Sequence, residues 1–440
     1  MVRALYSFLT WLVQPLLRRK LARRAVAEPG YAVAVEERFG HYSVPADQGR
    51  VWIHAVSLGE SRAAAILLAR LRAQMPGLRL LLTNGTATGR AEGEKLLRPG
   101  DVQVWQPWDT PGAVARFLDH FSPSIGILME TEIWPNLTDA CAARGMPLVV
   151  ANARLNVSSY AKAKRVAWVA RPVYAALTAV WAQTEADAAR FRSLGAPVKG
   201  VFGNLKFDAA PDAGQLHQGR AWRAALARPV ILLASSREGE ETLFLKEILA
   251  IASAERSESA IHSEVSGGAS GAQWMIVPRH PQRFDEVAGL ITQAGFRVAR
   301  RSTWGDAPPV APQDEAPTIW LGDSLGEMAL YFSLGDVALL GGSFAPLGGQ
   351  NLIEAAACGC PVIMGPHTFN FAQAAELAQA AGAAQAVSDM AVACRTGLAL
   401  AAEPARQNQM ADAARTFAAA HRGAADRTAS AIRALMRNPA

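Results

Sequence analysis

Residues 337–354 read Val-Ala-Leu-Leu-Gly-Gly-Ser-Phe-Ala-Pro-Leu-Gly-Gly-Gln-Asn-Leu-Ile-Glu. An unbroken apolar run enters two glycine pairs, 341–342 and 348–349, and then a helix start holding Asn351 and Glu354. A short apolar run without polar alternation is the mark of a strand buried on both faces, as in a parallel sheet. Glycines let the backbone approach a ligand closely, and a helix start offers N–H groups to an anion. The stretch is neither G-x-x-x-x-G-K-[ST] nor G-x-G-x-x-G, so it carries neither of those nucleotide fingerprints. Asn351-x-x-Glu354 has capping-box spacing, and Glu354 is equally suited to gripping ribose hydroxyls.

Outward from this stretch the pattern recurs. Apolar runs at 51–56, 79–83, 125–130, 148–152 and 180–184 alternate with Ala/Leu-rich helical segments. A second series follows at 230–235, 274–278, 318–322, 337–340 and 361–364. Two such series predict an α/β chain with two Rossmann-like, doubly wound parallel-sheet domains facing a central cleft. Residues 205–228 hold turn formers and no strand, which puts the domain boundary there. The expected organisation is a segment 1–24, an N-terminal domain 25–210 and a C-terminal domain 211–440. The Ala-rich helical pattern of 405–436 fits against either domain. The stretches 253–271 and 302–317 read as surface loops.

The chain has 440 residues, and 44 Lys and Arg against 38 Asp and Glu give a formal net charge of +6. Residues 1–24 alone hold six cations (Arg3, Arg18, Arg19, Lys20, Arg23, Arg24) and no acid, so the rest balances to zero. A balanced body argues against a groove tracking a nucleic acid backbone. Residues 4–17 form an apolar run with Leu5, Phe8, Leu9, Leu12 and Leu16 on one helical face and Arg3, Ser7, Thr10 and Gln14 opposite. As a helix it spans roughly 21 Å, short of a bilayer core of about 30 Å. The cations follow the apolar run, whereas a signal peptide carries them before it. The segment therefore reads as an amphipathic helix lying on a membrane surface, its basic end cytoplasmic; an ordinary packed first helix is the alternative. Four cysteines without paired spacing read as buried packing residues in a reducing compartment.

Chemistry-bearing groups cluster after the strands. Residues 54–62 read His-Ala-Val-Ser-Leu-Gly-Glu-Ser-Arg, which sets Glu60 at the sheet mouth as a general base or as the partner of Ser57 in a capping box. Residues 127–136 (ILMETEIWPN) place Glu130 and Glu132 on one face of extended backbone, as a metal pair, a cap or an ion-pair member. Residues 275–284 (MIVPRHPQRF) bring Arg279, His280 and Arg283 off a strand end, suited to phosphate contact or a solvated loop. Gly322-Asp-Ser-Leu-Gly-Glu327 is a further strand-end turn. A carboxylate base in one half and phosphate- and ribose-type groups in the other suit a glycosyltransferase.

These residues resemble a known family. HAVSLGES (54–61), TNGTATGR (83–90), METEIWPN (129–136), NARL (152–155), GNLKFD (203–208), VPRHPQRF (277–284), GDSLGE (322–327) and GGQNLIEAAA (348–357) occur in one order, as in the 3-deoxy-D-manno-octulosonic acid (Kdo) transferases. The match runs from the N-terminal basic segment through HTFNF (367–371). The resemblance implies a GT-B fold and inverting, metal-independent transfer of Kdo from CMP-Kdo to a lipid A precursor. It implies no cofactor and a place on the cytoplasmic face of a bacterial inner membrane. Glu60 would be the general base, and Glu130 and Lys206 would stabilise the transition state. Pro278, Arg279, Leu325, Gly326, Glu327, Asn351 and Glu354 would contact CMP.

The chain departs from the family pattern in places. Arg237 and Gln350 stand where histidines are usual, Leu352-Ile353 follows Asn351 in place of Pro-Leu, and 156–159 is Asn-Val-Ser-Ser. The alternatives are another GT-B enzyme using a UDP-sugar and a non-catalytic membrane-bound sugar-nucleotide binding protein. An NAD-dependent oxidoreductase is disfavoured by the missing G-x-G-x-x-G.

Overall fold

The computed structural model describes residues 2–261, 271–309 and 317–437. Among them the strands are β1 Val51–His54, β2 Leu80–Asn84, β3 Val102–Trp105, β4 Ile125–Met129, β5 Leu148–Ala153, β6 Ala179–Ala182 and β7 Val198–Val201. The second series is β8 Val230–Ser236, β9 Gln273–Pro278, β10 Arg297–Arg300, β11 Thr318–Leu321, β12 Val337–Leu340, β13 Val362–Met364 and β14 Ala384–Ala386. They form two parallel sheets, ordered β3-β2-β1-β4-β5-β6-β7 and β10-β11-β9-β8-β12-β13-β14. Central strands such as β4 and β12 are buried along their whole length, as their unbroken apolar sequences require, and β1 is buried through His54 at its end. Helices between strands start on side-chain caps, with Ser57, Thr86, Thr110 and Thr184 each accepting an amide three residues on. The chain divides into two compact units, Met1–Asp208 with His421–Ala440, and Ala209–Ala420.

Four strands lie outside the expected set: β3, β7, β10 and β14. All are outermost in their sheets. A strand with one neighbour needs no continuous apolar run, and Gln103, Lys199, Arg297 and Gln385 interrupt these four. The expected loop at 253–271 is also corrected, because the helix Glu240–Ile261 continues through its first nine residues. Residues 262–270, and 310–316 of the second expected loop, lie outside the described residues.

The expected helix over 4–17 is two helices, Val2–Leu12 and Gln14–Ala27, with Pro15 in the first turn of the second. Proline has no amide to carry the ladder onward, but it suits a first turn. The first helix seats its polar side on the first unit. Tyr6 Oη donates to Asp109 Oδ2 (2.9 Å), and Ser7 Oγ donates to Asn136 Oδ1 (2.7 Å). Its apolar side faces outward: Leu5, Phe8, Leu9, Trp11 and Leu12, with Leu16 of the second helix, are 48–62% exposed. Among the described residues no helix is long and apolar enough to cross a membrane.

The helical pattern of 405–436 is likewise two helices. Pro404–Ala420 belongs to the second unit, and Ala424–Arg437 belongs to the first. The latter buries Ala424, Ala425, Ala429 and Ile432 in the core beneath Leu58–Gln74. Asp208 caps it, taking the amides of Gly423 and Ala425.

Candidate active site

In an open α/β sheet ligands collect where the strand order reverses, beyond the carboxyl ends. In the first unit that point lies between β1 and β4, and Glu60 follows the one while Glu130 follows the other. The Glu60 carboxylate accepts the Val56 amide through Oε2 (2.8 Å) and the Ser57 hydroxyl through Oε1 (2.9 Å). Ser57 Oγ in turn accepts the Glu60 amide (3.3 Å), so Ser57 caps the helix, while the Glu60 carboxylate reaches past the cap's own amide to that of Val56, a variant of the expected capping box. Capping and catalysis do not exclude each other, since the cap fixes the carboxylate at the mouth.

Burial raises the Glu60 carboxyl to about 7, the Val56 amide opposes that rise, and the charges of Glu130 and Glu132 add to it. Val56 is itself clamped. Its carbonyl accepts the amides of Gly85 (3.2 Å) and Thr86 (3.0 Å) and the Thr86 hydroxyl (2.9 Å). A Cβ on Gly89 would come within 2.5 Å of the same carbonyl, so the segment 83–90 serves as the bed for Val56.

Glu130 has φ +58°, in the left-handed region. The expectation that Glu130 and Glu132 share a face of extended backbone is therefore corrected, because the chain turns at Glu130. Both carboxylates still act on Glu60, and burial raises the Glu132 carboxyl as well. Among the described residues no group of three or more His, Cys, Asp or Glu side chains is arranged to hold a metal ion.

Lys206 lies in the turn Leu205–Asp208, which packs against the helix Leu58–Gln74 that Glu60 begins. Asn152, at φ +53° in a break of the β5–β6 register, accepts the Leu205 amide (3.0 Å). Asn204 Oδ1 accepts the Lys206 amide (3.0 Å). The segments NARL and GNLKFD thus meet to set this turn beside β5.

In the second unit the order reverses between β8 and β12, where the glycine pair 341–342 begins its turn. The turn's amides are already taken. Glu240, wholly buried, accepts from Gly342 (2.7 Å), Phe344 (3.0 Å), Ala345 (3.3 Å) and Arg237 (3.0 Å). The glycines thus let the backbone close on an internal carboxylate rather than stand open at these amides.

The candidate donor residues lie around that turn. Arg279, just after Pro278 at the end of β9, donates its amide to the Ser236 carbonyl (3.0 Å) and its Nε to Gln350 Oε1 (3.1 Å). Leu325 is exposed, Gly326 has φ +80°, and Glu327 pairs with Arg301 (2.9 Å) and accepts the Ser324 hydroxyl. Asn351 caps the helix Leu352–Cys358 by accepting the Ile353 amide (3.1 Å), and Glu354 stands in that helix's first turn. Arg283 parts from Arg279 and His280: it is buried against Glu241 (2.7 Å) and is structural. All four cysteines are free and buried.

The structure brings Glu60, Glu130 and Lys206 to one end of the first sheet, and the seven candidate donor residues to the strand ends of the second. The sequence reading missed the Val56 amide, Asn152 and Glu240. The signals were present in the glycines at 85 and 89 and in the acidic pair that follows β8.

Two seven-stranded parallel sheets of this order are the GT-B fold. A family model described as 3-Deoxy-D-manno-octulosonic-acid transferase (kdotransferase) matches residues 34–209. A 3-deoxy-D-manno-octulosonic acid transferase of Bordetella pertussis is 44% identical over 98% of this chain and 99% of its own. That of Haemophilus influenzae is 32% identical over 84% of each. The crystal structure of UDP-GlcNAc 2-epimerase from Neisseria meningitidis bound to UDP-GlcNAc aligns with 88% of this chain and 100% of its own, at a TM-score of 0.56 and 15% identity, a likeness of fold alone. The chain belongs to the Kdo transferase family, glycosyltransferases of lipopolysaccharide synthesis.

Proposed function

We propose that this protein transfers Kdo from CMP-Kdo to a lipid A precursor with inversion and without a metal ion, on the cytoplasmic face of a bacterial inner membrane. The observation that carries the reading is Glu60, a half-buried carboxyl held at the sheet mouth with a proton affinity near neutral. A base of that strength takes the acceptor hydroxyl's proton as the bond to the anomeric carbon forms, which contributes about 10²–10⁴-fold. Glu130 supplies negative charge facing the oxocarbenium-like sugar. Lys206 stabilises the transition state, and Arg279 supplies positive charge for the CMP portion, the kind of fixed electrostatic help that lowers such barriers most. Pro278 and the turn 325–327 fit the cytidine portion, while Asn351 and Glu354 fit its ribose. In this reading the first helices (residues 1–24) hold the enzyme at the lipid surface, supported by their outward apolar face and six cations.

The test is to incubate the purified full chain with CMP-Kdo and lipid A precursor in EDTA, beside Glu60→Gln. CMP release and a product of opposite anomeric configuration by NMR are expected for the wild type, and neither for the variant. Activity that EDTA abolishes and a divalent cation restores would overturn the metal-free reading. A retained configuration would overturn inversion.

A further inference from the structure

Between Arg154 and Thr184 the chain has five cations (Arg154, Lys162, Lys164, Arg165, Arg171) and no acid. The whole-chain balance hides this second basic segment. Its structure is two short helices, Val157–Arg165, capped by Asn156, and Ala167–Ala175. All five cations are exposed, and the first of these helices buries no side chain. Among the cations stand exposed apolar side chains: Val157 at 66%, Val166 at 47% and Trp168 at 64%. An exposed tryptophan between Lys and Arg side chains suits a bilayer interface, where the ring sits at headgroup depth and the long cationic stems reach phosphates.

Position adds to composition. The helix Pro135–Ala143 packs against Ala167–Ala175 and also against the first helix, Val2–Leu12. The two acid-free basic segments therefore both pack on one helix of the same unit, each with an exposed tryptophan, Trp11 and Trp168.

We infer that residues 154–171 form a second lipid-contacting surface, which binds anionic phospholipid headgroups beside the first helix. This rests on the membrane reading above and extends it. One amphipathic helix fixes a protein to a bilayer but leaves it free to swing, whereas two contacts on one rigid unit also set its orientation. Charge complementarity selects the partner, because cations without acids favour anionic lipid over a neutral surface.

The test uses the full chain with vesicles of phosphatidylcholine alone or mixed with phosphatidylglycerol. Lys162→Ser/Lys164→Ser/Arg165→Ser is expected to weaken binding to the anionic vesicles on the order of a hundredfold at low salt, at about fivefold per cation. Binding to phosphatidylcholine alone should change little. Because the native cysteines are all buried, Trp168→Cys carries a polarity-sensitive dye at one site, and its emission should shift blue on anionic vesicles. Trp11→Ser/Leu9→Ser serves as the first-helix arm. If that arm alone loses binding while the triple variant binds like wild type and the dye is unmoved, the second surface is overturned and the first stands. No vesicle binding by the wild type overturns both. A dye shift that follows protein concentration without vesicles means a second copy covers the face, which also overturns the inference.

Discussion

Glu60 shows how one residue serves fold and chemistry at once. Its carboxylate closes a helix cap, yet burial and two neighbouring carboxylates leave it reluctant to ionise. If it is the base, transfer requires its deprotonated form, so the rate should climb with pH and level off above about 7. Glu130→Gln removes one of the charges that hold the proton on, so this limb should move to lower pH even as the maximal rate drops. A pH profile of kcat for both proteins checks this, and an unmoved limb would take Glu60 out of the role. The same shift carries a stability sign. A carboxyl raised in the folded state binds its proton more tightly there than in the unfolded chain, so its contribution is present at acid pH and lost as pH rises through about 7. Glu60→Gln should therefore raise the thermal midpoint relative to wild type at pH 8 and leave it nearly equal at pH 4.

At the scale of elements, the glycine-rich turn after β12 changed most between sequence and structure. Glycine pairs ahead of a helix read as backbone open to close approach by a ligand, and nothing local in 341–349 shows that Glu240, a hundred residues earlier, takes the turn's amides. Glu240→Ala would leave buried amides at Gly342 and Phe344 without acceptors, at about 1–3 kcal/mol each. A loss of at least about 2 kcal/mol in urea unfolding is expected on that scale, together with weaker CMP binding by calorimetry. Full stability in the variant would show that the turn holds its shape unaided. The central strands were legible because burial on both faces writes itself as an apolar run. The outermost strands were not, since Val198-Lys-Gly-Val or Arg297-Val-Ala-Arg becomes a strand only through its one neighbour.

In the whole molecule the chain leaves the first unit at Asp208 and returns to it at His421. The last helix completes the core under Leu58–Gln74, and Asp208 caps it across more than two hundred residues of sequence. A fragment of residues 1–208 should thus expose that apolar face and aggregate. Residues 209–420, which keep all their own strands, should give a soluble fragment with cooperative unfolding by circular dichroism. A soluble, cooperatively folding 1–208 would mean the last helix is dispensable to the core.

The sequence by itself determined the two parallel-sheet halves, the segments that bear the candidate chemistry and the basic amphipathic start. These are written in local pattern: apolar runs for strands, glycine turns at their ends, and charge separated from apolar surface along one helix. Only the tertiary structure decided that the first helix turns its polar side inward and its apolar side out, that a distant glutamate occupies the glycine turn, and that the last helix belongs to the first unit. Each of these depends on partners far apart in the chain, and a buried carboxylate or an apolar face takes the partner that satisfies it, wherever the fold brings one.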